Sequence, residues 1–322
     1  MNYKKMFEDL QKPKHSDEYQ IESIDKDERI FIAKNGEDRI GVIVNYPNWE
    51  GEWPQPRRTP SLHFISNQNS KLKSGNQNRE AIIAGIILLE DEILNPFCVF
   101  LESLIKNEEI IDDPNLLWEF LEDFHKCFSD KRRDISRDKA IGLWGELHFI
   151  LEGDVDSLFA CWKGPERYIF DFAGEELAVD VKTTTASTRM HRVKLEQVKP
   201  RKDIETFLFS LKIKHSYSDG KSVDDYIKEL CEKMGNRALD VLIKLREWGY
   251  VSQGAHVECT KKYNLQDEAE AYFNVTDIPQ LKNEGLPECI ENIEFDIILT
   301  NIPKLENRKI KYIADSLVAS GR

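Results

Sequence analysis

The chain has 322 residues, of which 40% are hydrophobic and 32% charged, and its formal net charge is −13. That length holds two domains of ordinary size, roughly 100–200 residues each, and no stretch approaches the roughly 20 consecutive apolar residues of a bilayer span. The acidic balance argues against nonspecific coating of nucleic acid, which needs an excess of Lys and Arg to displace counterions.

The opening, Met1 to Pro13, is polar and lacks the apolar core of a signal peptide. Six cysteines stand without a CxxC pair or a His at zinc-ligand spacing. Together these features predict a cytoplasmic protein with free thiols. Arg29 to Tyr46 alternates around Asn35-Gly36 and predicts a β-hairpin. Further strands are predicted at Ser61 to Ser66 and Glu80 to Leu89, with the polar stretch Asn67 to Asn78 as a surface loop between them. Two helical stretches follow, bracketed by Pro96 and by Leu116 to Phe128. There Leu117, Phe120, Leu121 and Phe124 recur at helix spacing and predict a core stripe. The charged run Ser129 to Arg137 predicts a boundary, with a β-rich amino-terminal domain carrying helices over residues 1–129 and a second domain over 130–322.

The second domain opens with a predicted helix, Asp138 to Leu151. Strands at Arg167 to Phe172 and Glu176 to Thr184 flank a tight turn at Ala173 to Glu175, and another strand follows at Phe207 to Ile213. Helices at Val223 to Met234 and Asn236 to Trp248 precede a β-rich tail at Ala255 to Tyr263, Glu268 to Val275 and Ile293 to Thr300. This order predicts a mixed α/β, or α+β, core with a β-rich carboxy-terminal extension.

Alternation along a strand puts Asp180 and Lys182 on one face and Val181 on the other, and a hairpin brings Asp171 alongside. Two carboxylates so close repel unless a cation stands between them. Mg²⁺ or Mn²⁺ held by Asp171, Asp180 and the backbone carbonyl of Val181 would resolve the conflict. One of the ion's waters could then attack a phosphodiester, with Lys182 stabilising the crowded transition state. Solvated hairpin charges are the ordinary alternative for the bare spacing. The apolar setting of Leu177, Ala178, Val179 and Val181 favours a buried and therefore functional cluster.

Glu146 falls at the border of the helix's apolar face, within reach of that cluster. Gly142 and Gly145 each cost about 1 kcal/mol inside a helix and predict close backbone approach by a neighbouring strand or substrate. From Lys182 to Lys202 there are seven basic residues against Glu196 alone. This segment predicts a face for a polyanion, with Arg189, His191, Arg192, Lys194 and Gln197 as candidate DNA contacts; a solvated basic face is the alternative.

The combination GLWGEL (Gly142 to Leu147), WKGP (Trp162 to Pro165), FDF (Phe170 to Phe172) and VDVKTTT (Val179 to Thr185), followed by His191 and Gln197, resembles a PD-(D/E)XK nuclease-like family found beside bacterial restriction-modification and phage-defence genes. The resemblance implies a restriction-endonuclease-like core. It makes Asp171 the first metal-binding acid, Asp180 the second, Lys182 the catalytic lysine and Glu146 the helix glutamate near the metal. Asp180 stands where glutamate is commoner, and Phe170 where a proline is usual. The implied activity is Mg²⁺- or Mn²⁺-dependent endonucleolytic cleavage of double-stranded DNA in restriction or defence. The rival is a noncatalytic module of the same fold that holds DNA or a partner protein. A third reading, which the acidic charge and the lack of a recognisable specificity domain suggest, is a nuclease silent alone that requires a companion ATPase, helicase or methyltransferase, and double-strand cutting would favour a homodimer that matches a two-fold duplex.

Overall fold

The computed structural model describes residues 3–15, 17–75, 77–90, 94–126, 135–164, 168–250, 257–281, 292–306, 313 and 315–317. These form two compact units. One comprises residues 3–126 with Gly235–Arg246, and the other comprises 135–234, 247–250 and the described residues from 257 onward. The boundary expected at 129/130 lies outside the described residues.

The first unit begins with α1 (Tyr3–Asp9) and continues through β1 (Glu18–Ser23), β2 (Ile30–Asn35), β3 (Ile40–Asn45), β4 (Arg57–Arg58), β5 (Leu62–Ser74) and β6 (Gln77–Leu88). Its sheet runs β1-β2-β3-β6-β5-β4, and β1 also pairs in parallel with β5, Glu18 opposite Lys71. The strands β1, β2, β3, β6 and β5 therefore close on themselves, which removes the open edges that invite aggregation. Ile21, Phe31, Ile43, Ile65, Leu72 and Ile83 pack together in its core.

The predicted hairpin is β2–β3, with Ile30 opposite Val44. Asn35 organises its turn by accepting the backbone N–H groups of Glu37 and Arg39, and Asp38 rather than Gly36 takes the positive φ of 65°. The stretch Asn67 to Asn78, expected to be a loop, instead extends β5 and β6 into a long ribbon. A bulge at Asn67 (φ 49°) and a tight turn at Gly75 (φ 57°) interrupt it. Ser70 and Leu72 are buried on its inner side, so the polar composition reflects one solvated face of a strand. Helices α2 (Leu94–Ile105), α3 (Glu108–Asp112) and α4 (Pro114–Lys126) follow. The predicted stripe is internal: Leu117, Leu121 and Phe124 are buried, and Phe124 meets Phe100 at 4.5 Å between ring centroids. Ser103 donates a hydrogen bond to the Gly235 carbonyl (3.4 Å), tying that later segment to this unit.

The second unit carries α5 (Arg137–Glu152), α6 (Val155–Cys161), β7 (Phe172–Ala173), β8 (Leu177–Thr184), β9 (Met190–Lys194), α7 (Leu195–Val198), β10 (Glu205–Ser216) and α8 (Val223–Met234). Then come α9 (Ala238–Glu247), most of which groups with the first unit, β11 (Lys262–Asn274) and β12 (Glu294–Ile298). The side chain of Ser136 caps α5 by accepting the Lys139 N–H. The core sheet runs β11-β10-β8-β7, with β10 parallel to β8 and the outer strands antiparallel to their neighbours. Strands β9 and β12 form a separate two-stranded ribbon. This is a mixed α+β arrangement, as the element order predicts.

Two expectations differ in detail. The strand expected at Arg167 to Phe172 shortens to Phe172–Ala173; Arg167 lies outside the described residues, and 169–171 form a bend. Side chains replace the ladder there: Gln197 donates to the Ile169 carbonyl, and Asp171 accepts from the Val181 N–H. In the tail, β11 is one continuous strand joined to β10, whereas Val257 to Thr260 form a turn and Ala255 lies outside the described residues.

Candidate active site

Strand β8 lies between β7 and β10, and Leu177 to Val181 are buried. Period-2 alternation aims Asp180 and Lys182 the same way: Lys182 Nζ is 2.9 Å from Asp180 Oδ2, and Asp180 is 0% exposed. The β7–β8 register, Phe172 opposite Val179, continues into Asp171, whose Oδ2 accepts the Val181 N–H at 2.7 Å. Val181, expected to lend its carbonyl, thus meets the site through its amide.

Glu146 arrives from α5. Beside it, a Cβ added to Gly145 would collide with Thr183 and press on Val181, whereas one on Gly142 would meet open space. Of the two glycines, only Gly145 is approached by a neighbouring strand, and that contact sets α5 directly against β8. Glu146 is consequently not a border charge. It is 3% exposed, and its Oε2 accepts the Trp162 indole N–H at 2.6 Å.

Three acids thus share a neighbourhood with one amine. Burial raises the pKa of each acid above the ordinary carboxylate range. Close negative charge adds to this: Asp180 helps push Asp171 up to about 8, and Asp171 raises Glu146 further. Lys182 works against all three rises. Burial lowers the pKa of Lys182, but the Asp180 and Asp171 charges outweigh it and hold the ammonium above its usual pKa. Asp171 alone among the three acids keeps part of its surface open to solvent.

Gln197 joins the site through the acid rather than the lysine. Its Nε2 donates to Asp180 Oδ1 (2.8 Å) and to the Ile169 carbonyl (3.1 Å), while its Oε1 accepts the Lys194 N–H (2.9 Å). The expected DNA-contacting row does not form one face. Arg189 and His191 are buried: Arg189 donates to Ser210 O and Oγ and to the Glu268 carbonyl, and His191 Nε2 meets Ser210 Oγ at 2.7 Å. His191 lies on the buried face of the alternating β9, and Arg189, just ahead of that strand, continues the same face, so neither is open to a polyanion in this arrangement. Arg192 and Lys194 point outward; Arg192 pairs with Asp296 at 3.1 Å, and the Lys194 charge acts on Asp180.

Trp162, which the sequence singles out only within the WKGP motif, supplies the hydrogen bond that orients Glu146. The available signal was chemical: a buried indole N–H needs an acceptor.

The donor set fits a small divalent cation. Carboxylate oxygens are the hard ligands such ions prefer, their negative charge exceeds the single ammonium, and Asp180 Oδ2 is buried with Lys182 near but without an aligned hydrogen bond. Among the described residues, however, no group of three or more His, Cys, Asp or Glu side chains is already gathered as ligands. Gln197 already bonds Asp180 Oδ1, Lys182 Nζ stands 2.9 Å from Oδ2, and Trp162 bonds Glu146.

A family model described as "Putative PD-(D/E)XK family member, (DUF4420)" matches residues 3–300. No curated protein and no solved structure matches the chain.

Proposed function

The chain belongs to this PD-(D/E)XK family, and from that membership and the acid cluster we propose that it is a divalent-metal-dependent DNA endonuclease. The observation that carries the reading is the convergence of Glu146, Asp171 and Asp180 with Lys182 at one end of the β7–β8 hairpin. Asp171 and Asp180, with Glu146 behind them, would hold Mg²⁺ or Mn²⁺. The ion supplies Lewis-acid stabilisation of charge on phosphoryl oxygens. Lys182, kept charged by its acidic neighbours, sits where a compact cation can orient water or stabilise the pentavalent phosphorus. Gln197 fixes the carboxylate plane of Asp180, and Trp162 that of Glu146. Hydrolysis adds water across one P–O bond, and the departing oxygen takes a proton.

The substrate in this reading is double-stranded DNA and the setting bacterial restriction or phage defence. A homodimer or a companion ATPase, helicase or methyltransferase would complete double-strand cutting. The test is conversion of supercoiled plasmid to nicked or linear forms in Mg²⁺ or Mn²⁺. Lys182→Ala and Asp180→Ala should each lower the rate by about 10²-fold or more; cleavage that survives both removes the assignment.

One observation favours a second reading, a noncatalytic module that holds DNA or a partner protein: the described acids are tied to protein partners and not gathered as ligands. Titration calorimetry separates the two. Mn²⁺ uptake abolished by Asp180→Ala supports the nuclease, whereas DNA binding without Mn²⁺ uptake supports the module.

A further inference from the structure

Tyr168 and Ile169 are consecutive large apolar residues, 59% and 38% exposed, just ahead of Asp171. Their segment is pinned. The Ile169 carbonyl accepts from the same Gln197 amide that bonds Asp180, and Phe170 is buried with the Arg201 guanidinium 5.1 Å from its ring centroid. Lys163 Nζ lies 6.0 Å from the Tyr168 ring centroid. An accessible aromatic residue with one cation at its ring and a second at the ring of the neighbouring buried Phe170, held in step with a carboxylate of the proposed site, has no role in the core. A purely apolar partner would be penalised by desolvating Lys163 and Arg201. A nucleotide matches both features, with a flat base for Tyr168 and phosphate charge for Lys163 and Arg201.

Resting on the nuclease reading, we propose that Tyr168 and Ile169 form a stacking edge for an unpaired base beside the scissile phosphate. The site therefore prefers DNA whose strands are separated locally. Bases inside an intact duplex are already stacked on their neighbours and present no free face, so only single-stranded, bubbled or flipped nucleotides can use this edge.

The full chain in EDTA is titrated with three oligonucleotides of equal length, one single-stranded, one duplex with a central bubble and one fully paired. Each carries 2-aminopurine at one position, within the unpaired region where there is one. The expected order is tighter binding of the first two, with 2-aminopurine emission quenched by stacking. Tyr168→Ala should weaken those two by about 5- to 100-fold and restore the emission, while Tyr168→Phe keeps wild-type behaviour and the fully paired duplex shifts less than two-fold. An unchanged melting temperature confirms that the variants fold. Equal wild-type affinity for all three, or an effect of Tyr168→Ala absent or equal across them, overturns the proposal. The two readings fail separately. Preferential binding without Mn²⁺-dependent cleavage removes hydrolysis and leaves the base contact. Cleavage of fully paired DNA unaffected by Tyr168→Ala removes the base contact and leaves hydrolysis. No binding to any of the three removes the base contact and leaves hydrolysis to the plasmid assay.

Discussion

Arg189 and the acid cluster are both buried charge in the same unit, and the difference between them separates architecture from chemistry. Arg189 is 5% exposed, yet its guanidinium reaches two backbone carbonyls and the Ser210 hydroxyl. Next to it His191 shares Ser210 Oγ, and burial together with the Lys182 and Arg189 charges pushes its pKa down to about 3, so it stays neutral. Everything there is matched. Around Asp180, three carboxylates meet one ammonium, and all three have raised pKa values. A folded chain keeps such a deficit at a cost in stability unless a ligand completes it. Buried charge therefore becomes informative about function only when its partners are counted.

The largest break in this comparison should come from Arg189→Met. It leaves the Ser210 and Glu268 carbonyls without their donor, and each lost buried partner costs about 1–3 kcal/mol. Urea unfolding should show a loss of roughly 2–4 kcal/mol, with DNA affinity per folded molecule unchanged. A variant that keeps its stability but loses DNA binding would return Arg189 to the basic face expected from sequence.

A smaller effect tests how the cluster is assembled. Gly145→Ala forces α5 away from Thr183 and Val181, for a loss of about 1–3 kcal/mol together with weaker Mn²⁺ binding, because Glu146 moves with the helix. Gly142→Ala meets open space and should stabilise by up to about 1 kcal/mol. Equal responses of the two variants in thermal melts would mean that helix propensity, not the approach of β8, governs the site.

Much of this was legible in the sequence because it depends on short periods. Strand alternation put Asp180 and Lys182 together, the hairpin carried Asp171 alongside, and the α8 limits, Val223–Met234, coincide with the predicted ones. The misreadings share a cause, which is that composition does not report partners. The amides and lysines of Asn67 to Asn78 resembled a loop, yet they are the solvated side of paired strands. Arg189 and His191 counted as basic surface, although Ser210, which binds both, is 19–21 residues away in sequence. Trp162 and Gln197 act through single hydrogen bonds to acids 16 and 17 positions away, distances at which no periodicity operates.

The smallest and sharpest test uses pH, because the two sites should give slopes of opposite sign. His191 has a folded pKa below its unfolded value of 6.5, so the unfolded chain binds the extra proton, and its contribution to stability grows as pH rises from about 3 to 6.5. Asp171, raised from 3.8 to about 8, does the reverse: the folded state holds the proton longer, and that contribution is lost as pH rises through this window. Between pH 6.5 and 8 the histidine is neutral in both states and only the acids act. Metal-free protein in EDTA should therefore melt at progressively lower temperature across that range, with each unit of pH costing at most about 1.4 kcal/mol per group. Asp171→Asn keeps an oxygen for the Val181 N–H and should flatten the slope, and Mn²⁺ should stabilise the wild type more at pH 8 than at 6.5 as it displaces fewer protons. A wild-type slope that is flat or rising and indifferent to Asp171→Asn would mean that the acids are matched after all, and the distinction from Arg189 would be lost.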